Sequence, residues 1–180
     1  MQGVRGSPYR ARMTHWIRRP LPPHEEVNVV FFRGMSLDEL VRGLLAAQRM
    51  PLAYGKGADW GVIMHDMLGW DSDDHGLVDY GRLCRAGGEL AVFVTEPCIA
   101  KAHGPEFGYY RDGRLITGLS FETPSYGVGE RPDLLASVLA AANLIGPHAE
   151  CGGDGEAGIA RSIAAHFSLP DLDLPAPALP

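Results

Sequence analysis

Five side chains near the middle of the chain have the types that acid/base or nucleophilic chemistry needs: His65, Asp66, Cys98, His103 and Glu106. Imidazole and carboxylate form the natural general acid/base pair near neutral pH, because histidine titrates there. His65 and Asp66 are adjacent, and His103 and Glu106 are three apart. Gly104-Pro105 interrupts any regular helix between the latter two, so the spacing is not that of a helical metal motif. Cys98 follows Pro97 and precedes His103 by five residues. A thiol with an imidazole nearby can act as a nucleophile. His65, Asp66, His103 and Glu106 converge only if the strand ending near His65 neighbours the Pro97–Glu106 segment. Otherwise they are polar residues at strand ends.

Other patterns imitate functional motifs without completing them. Asp71-Ser72-Asp73-Asp74-His75-Gly76 has acids at the first and third positions of a calcium loop and glycine at the sixth. His75 then takes the fifth position, and Arg82 stands where the bidentate glutamate belongs, which leaves an acidic, solvated turn. Gly55-Lys56-Gly57 lacks the Ser/Thr of a phosphate cradle, and Trp60 occupies the place of the glycine a dinucleotide fingerprint requires. Gly118-Leu119-Ser120 is no nucleophile elbow, because Glu122 replaces its closing glycine. Aromatic residues are more suggestive of binding. Trp60, Trp70, Tyr109 and Tyr110, with Phe107 and the Arg111 that follows, gather in the same loops and hairpin. Adjacent strand residues face opposite ways, so Tyr109 and Tyr110 must serve different faces. A displayed aromatic patch would suit a protein partner or a flat ligand.

The elements that must position these groups are readable in outline. Val27–Phe32 (VNVVFF) predicts a buried strand. Ser36-Leu37-Asp38-Glu39 is a capping box, and Leu37, Leu40, Val41, Leu44 and Leu45 follow at helical spacing. Pro51–Asp59 reads as a loop, Trp60–Met64 as a strand, and Leu77–Ala86 as a helix closed by Gly87 in a left-handed cap. Glu89–Thr95 predicts a third strand. Asp112-Gly113, between Glu106–Arg111 and Leu115–Phe121, predicts a tight hairpin. Pro132–Leu144 and Ala157–Phe167 predict helices. The order β-α-β-α-β-β-β-α-α points to an α+β fold: a mostly antiparallel or mixed sheet with helices packed on one face.

Several of these segments, in this order, resemble one family. Val29-Val30-Phe31-Phe32-Arg33-Gly34 before a helix, Trp60 before its strand, Arg85-Ala86-Gly87-Gly88, the hairpin Tyr110–Thr117 and Pro132-Asp133-Leu134-Leu135 are similar to the domain-of-unknown-function family 6461 of high-GC bacteria. The resemblance spans roughly residues 16–146. It implies a fold and an intracellular setting, and no activity. Three places depart from the family pattern: His65 stands where an acid is usual, Pro97–Glu106 is longer, and Trp70–His75 is unusually acidic.

With 180 residues, 46% of them apolar and 21% charged, the composition is that of one ordinary globular domain. Residues 16–167 are expected to form it, between a basic leader (1–15) and a proline-rich tail (168–180). Met13 offers an alternative start. No apolar run approaches the ~18 residues that span a bilayer, and Arg18-Arg19 is followed by prolines and acids instead of a signal's apolar core. A cytoplasmic location is expected. Cys84, Cys98 and Cys151, with no C-x-x-C pair, argue against a disulfide framework or a zinc knot. Cys84 reads as a small core residue. Five arginines and no acid occupy residues 1–20, leaving eleven basic against 22 acidic side chains elsewhere, a body that repels nucleic acid and anionic membrane. No cofactor or metal is implied. Two readings of function stay open. One is a non-catalytic module binding a protein partner or small ligand. The other is a small cofactor-free enzyme performing cyclisation, isomerisation or hydrolysis.

Overall fold

The computed structural model describes residues 27–70, 77–95, 104–147, 149 and 155–170. The basic leader, the acidic turn Asp71–Gly76, Cys98, His103, Cys151 and most of the proline-rich tail lie outside the described residues. The fold is α+β, built on a sheet of seven strands among the described residues. In chain order the elements are β1 (Val27–Arg33), α1 (Leu37–Ala46), β2 (Pro51–Lys56), β3 (Gly61–Asp66), α2 (Tyr80–Leu83), β4 (Glu89–Val94), β5 (Glu106–Arg111), β6 (Arg114–Ser120), β7 (Gly127–Val128), α3 (Ala136–Ala141) and α4 (Gly155–Phe167).

The strands lie in the order β2-β3-β1-β4-β5-β6-β7, and every neighbouring pair is antiparallel. The first strand in sequence is therefore central. Its composition explains why: Val27, Val29 and Phe31 point to one face, Val30 and Phe32 to the other, and all are buried. A strand apolar on both parities must be covered on both sides.

That requirement corrects the expectation of helices on one face. α1 and α2 pack over Val30, Phe32, Ile63, Leu90 and Val92. α3 and α4 pack over Val29, Phe31, Met64, Phe93 and Phe107 on the opposite side. The sheet is the middle of three layers.

Local chemistry sets several boundaries. Ser36 caps α1 through the Glu39 amide while the Glu39 carboxylate returns to the Ser36 amide, so the capping box is complete. Such a cap is worth about 1 kcal/mol. Asp112 (φ +51°) and Gly113 (φ +81°) form the two-residue turn between β5 and β6. Four elements differ from expectation, one of them the unforeseen short strand β7. Pro51–Lys56 is an edge strand and not a loop. The second helix is confined to Tyr80–Leu83, capped by the Asp79 side chain. Pro132–Leu135 forms turns before the short α3.

Gly34 closes β1 with φ +71°, and a Cβ there would run into the carbonyl oxygen of Gly87. Gly34→Ala is expected to destabilise the fold by about 2 kcal/mol or more, since strain and collision add. Urea unfolding midpoints check this; an unchanged midpoint would show that the Gly34–Gly87 approach is dispensable.

Candidate functional site

Two polar clusters interrupt the apolar layers, on opposite faces and at opposite ends of β1. The first is buried. Asn28 and His65 are cross-strand partners on the face covered by α1 and α2. Both are buried, His65 completely. Tyr80, the first residue of α2, brings its hydroxyl between them, 2.6 Å from Asn28 Nδ2 and 3.0 Å from His65 Nε2. The other ring nitrogen, Nδ1, lies 2.7 Å from the Asp66 carbonyl oxygen.

These contacts assign the protons. A carbonyl only accepts, so Nδ1 carries the imidazole proton and Nε2 is left as an acceptor. The Tyr80 hydroxyl must then donate to Nε2, and it accepts in turn from the Asn28 amide. The relay is Asn28 N–H to Tyr80 O–H to His65, and His65 N–H to the Asp66 carbonyl. Burial pushes His65 down to about 4, the Asp66 hydrogen bond opposes this, and the charge of Arg49 adds to it. Burial also pushes Tyr80 above its ordinary value. Both side chains are neutral at neutral pH, and both imidazole nitrogens are engaged. Such a relay fastens α2 to the sheet and leaves neither imidazole nitrogen free for an outside molecule, while Asn28 Oδ1 stays buried without a hydrogen-bond partner among the described residues.

The five acid/base candidates do not gather around it. Asp66 pairs with Val27, so its side chain leaves on the other face. Glu106 shares a face and a cross-strand row with His65, but Asn28 and Val94 stand between them. Three strand spacings separate the two by about 14 Å. Glu106 is exposed. Among the described residues no group of three or more His, Cys, Asp or Glu side chains could hold a metal ion.

The second cluster lies at the far end of β1, on the face covered by α3 and α4. Arg33 Nη2 donates to Glu89 Oε2 at 2.8 Å, and the same oxygen accepts a short hydrogen bond from the Tyr109 hydroxyl. The Arg33 guanidinium stacks 4.4 Å above the Trp60 ring, whose Nε1 donates to the Phe167 carbonyl at the end of α4. Burial opposes ionisation of Glu89, but the bonds from Arg33 and Tyr109 and the charges of Arg33 and Arg111 outweigh it and hold its pKa below the ordinary value. Burial, reinforced by the Glu89 hydrogen bond, pushes Tyr109 up to about 12. The cluster satisfies its own charges.

The binding candidates divide accordingly. Trp60, Tyr109 and Arg111 belong to this second end, with Trp60 and Tyr109 buried and Arg111 exposed beside Asp112. Tyr110 is on the opposite face as expected, its ring 5.8 Å from that of Tyr80. Trp70 is 55% exposed and joins neither cluster by a hydrogen bond or ring contact of its side chain; its amide bonds the Gln48 carbonyl. Cys84 is buried, with its thiol against the Gly88 carbonyl.

Sequence reasoning passed over Asn28, Tyr80, Arg33, Glu89 and the buried Arg49. Asn28 carried a signal, as the polar residue inside an otherwise apolar strand. Apart from Trp70, it also passed over an exposed apolar surface at one edge of the sheet. Around the edge strand β2 the side chains of Leu45, Met50, Tyr54, Leu68 and Trp70 are exposed, Tyr54 by 76%. The Asp66 and Trp70 amides bond the Met50 and Gln48 carbonyls, which holds the stretch after β3 against the entry to β2. No helix of the described residues is long and apolar enough to cross a membrane. No protein-family model matches the chain, and neither a curated protein nor a solved structure matches it.

Proposed function

We propose that the protein is a non-catalytic binding module, set in the bacterial cytoplasm, that engages a protein partner along the rim of β2. The observation that carries this reading is the set of five large exposed apolar side chains on β2 and on the segments that lead into it or are held against its entry, at an edge that no further strand covers among the described residues. Side chains of this size and exposure present on the order of 500 Å² of apolar surface, the scale at which a patch on a single chain serves recognition. The acid/base alternative finds less support, because His65 is enclosed with both nitrogens engaged and Glu106 lies far along the sheet.

The test is photo-crosslinking in cells of the source organism, with a benzophenone amino acid placed at Tyr54, Trp70 or, as control, the exposed hairpin residue Arg114. Discrete crosslinked products at Tyr54 and Trp70, absent at Arg114, are expected. Products equal at all three positions, or none at the first two, would remove the β2 rim as a binding surface.

A further inference from the structure

The geometry of β2 points to a particular partner, and we infer that it is a second copy of this chain, joined to the first by antiparallel β2–β2 pairing centred on Tyr54. The inference rests on the partner-binding reading above and names its occupant.

The hydrogen-bond phase of β2 locates the centre. The Gly57 amide bonds the Trp60 carbonyl at 2.8 Å, and the register Lys56↔Gly61, Gly55↔Val62, Tyr54↔Ile63 and Ala53↔Met64 continues from it. Bonded and non-bonded pairs alternate in an antiparallel ladder. Gly55 and Ala53 therefore face β3, and the amide and carbonyl of Tyr54 and of Lys56 point outward, away from the sheet. β2 ends the strand order, so these groups meet no further strand among the described residues. A register shift between Pro51 and Ala53 limits the regular outward edge to this short stretch.

An antiparallel pair of identical strands has a two-fold axis, and Tyr54 suits that axis. Its amide and carbonyl would exchange bonds with the same groups of the second copy, and Lys56 would fall opposite Leu52. Lys56 is the strand's only charged residue, so this register brings no like charges together. The short ladder alone is insufficient. The apolar rim of Leu45, Met50, Tyr54, Leu68 and Trp70 supplies the rest, and two copies of it bury about 1,000–1,200 Å², at the lower limit for a specific interface. Concentration-dependent dimerisation follows.

Sedimentation analysis of the full chain from low micromolar to several hundred micromolar is the test. Wild type is expected to move from one to two chain masses across this range. Tyr54→Lys and Tyr54→Glu place like charges on the axis and are each expected to stay monomeric with unchanged circular dichroism. Mixing the two variants is expected to restore the dimer, which mere loss of folding could not do. A monomeric wild type throughout the range would overturn the inference, and so would a dimer indifferent to both charges. Either failure leaves the partner-binding reading to the crosslinks: a product at Tyr54 with a different chain sustains it, and no product sinks both.

Discussion

Replacing Trp60 by alanine is expected to destabilise the protein by about 3–5 kcal/mol, the range for deleting a large buried aromatic side chain. Three losses coincide there. The indole is buried in the cluster formed by the sheet and α3–α4. Its Nε1 proton is the bond to the Phe167 carbonyl, so the end of α4 loses a partner. Arg33 loses the ring it stacks on, a contact worth about 0.5–1 kcal/mol at a partly exposed site. The melting temperature should fall by roughly 10–15 °C for a domain of this size. Trp60→Phe keeps most of the packing and gives up the indole bond, so a loss of about 1–2 kcal/mol is expected. Trp70→Ala, at an exposed site, should stay within about 0.5 kcal/mol. Thermal and urea unfolding of the three variants measure this; equal effects at Trp60 and Trp70 would contradict the division between a tryptophan that builds the core and one displayed at the rim.

That division was only half readable in the sequence. Trp60 and Trp70 both flank loops, and nothing local separates them. The difference arises because residues distant in sequence, Phe167 and Arg33, close over one and not the other. Signals confined to a few residues were legible. The Ser36–Glu39 capping box and the Asp112-Gly113 turn each depend on neighbours within one helical or hairpin turn. The pattern VNVVFF even contained the answer to the layering, since apolar residues on both parities demand cover on both faces. The one-face expectation came from counting elements when the parity of β1 should have decided it.

β2 shows why edge strands are hard to recognise. Pro51, Gly55 and Lys56 are breakers by local propensity, and they are also what an edge tolerates: a proline at the strand's start, a bulge, a terminal lysine. The candidate sites were hidden for a different reason. His65 and Glu106 are credible chemistry by type, but only cross-strand register shows that Asn28 and Val94 separate them. The same register makes Asn28 the cross-strand neighbour of His65, and the Tyr80 hydroxyl, brought in by α2, bonds both.

The proton assignment of that relay leads to a pH dependence of definite sign. Above its unperturbed pKa of about 6.5, His65 is neutral in folded and unfolded chains alike and contributes no slope. As pH falls below that value the unfolded chain takes up a proton that the folded one refuses until about 4. The unfolded state binds more protons throughout this window, so stability falls as pH is lowered, by up to about 3 kcal/mol in total. Protonation also removes the Nε2 acceptor from the Tyr80 hydroxyl, so the contact that fastens α2 is the one under stress. His65→Gln separates this group from the carboxylates that titrate lower. Its amide oxygen can accept from Tyr80, and its side chain binds no proton. Between pH 6.5 and 4 the variant should lose less stability than wild type, and the two curves should converge as pH falls. Urea unfolding across the window, with an NMR titration of the His65 ring, makes the measurement. Parallel curves, or a ring that titrates near 6.5 in the folded protein, would show that His65 is not the enclosed, neutral acceptor its hydrogen bonds describe.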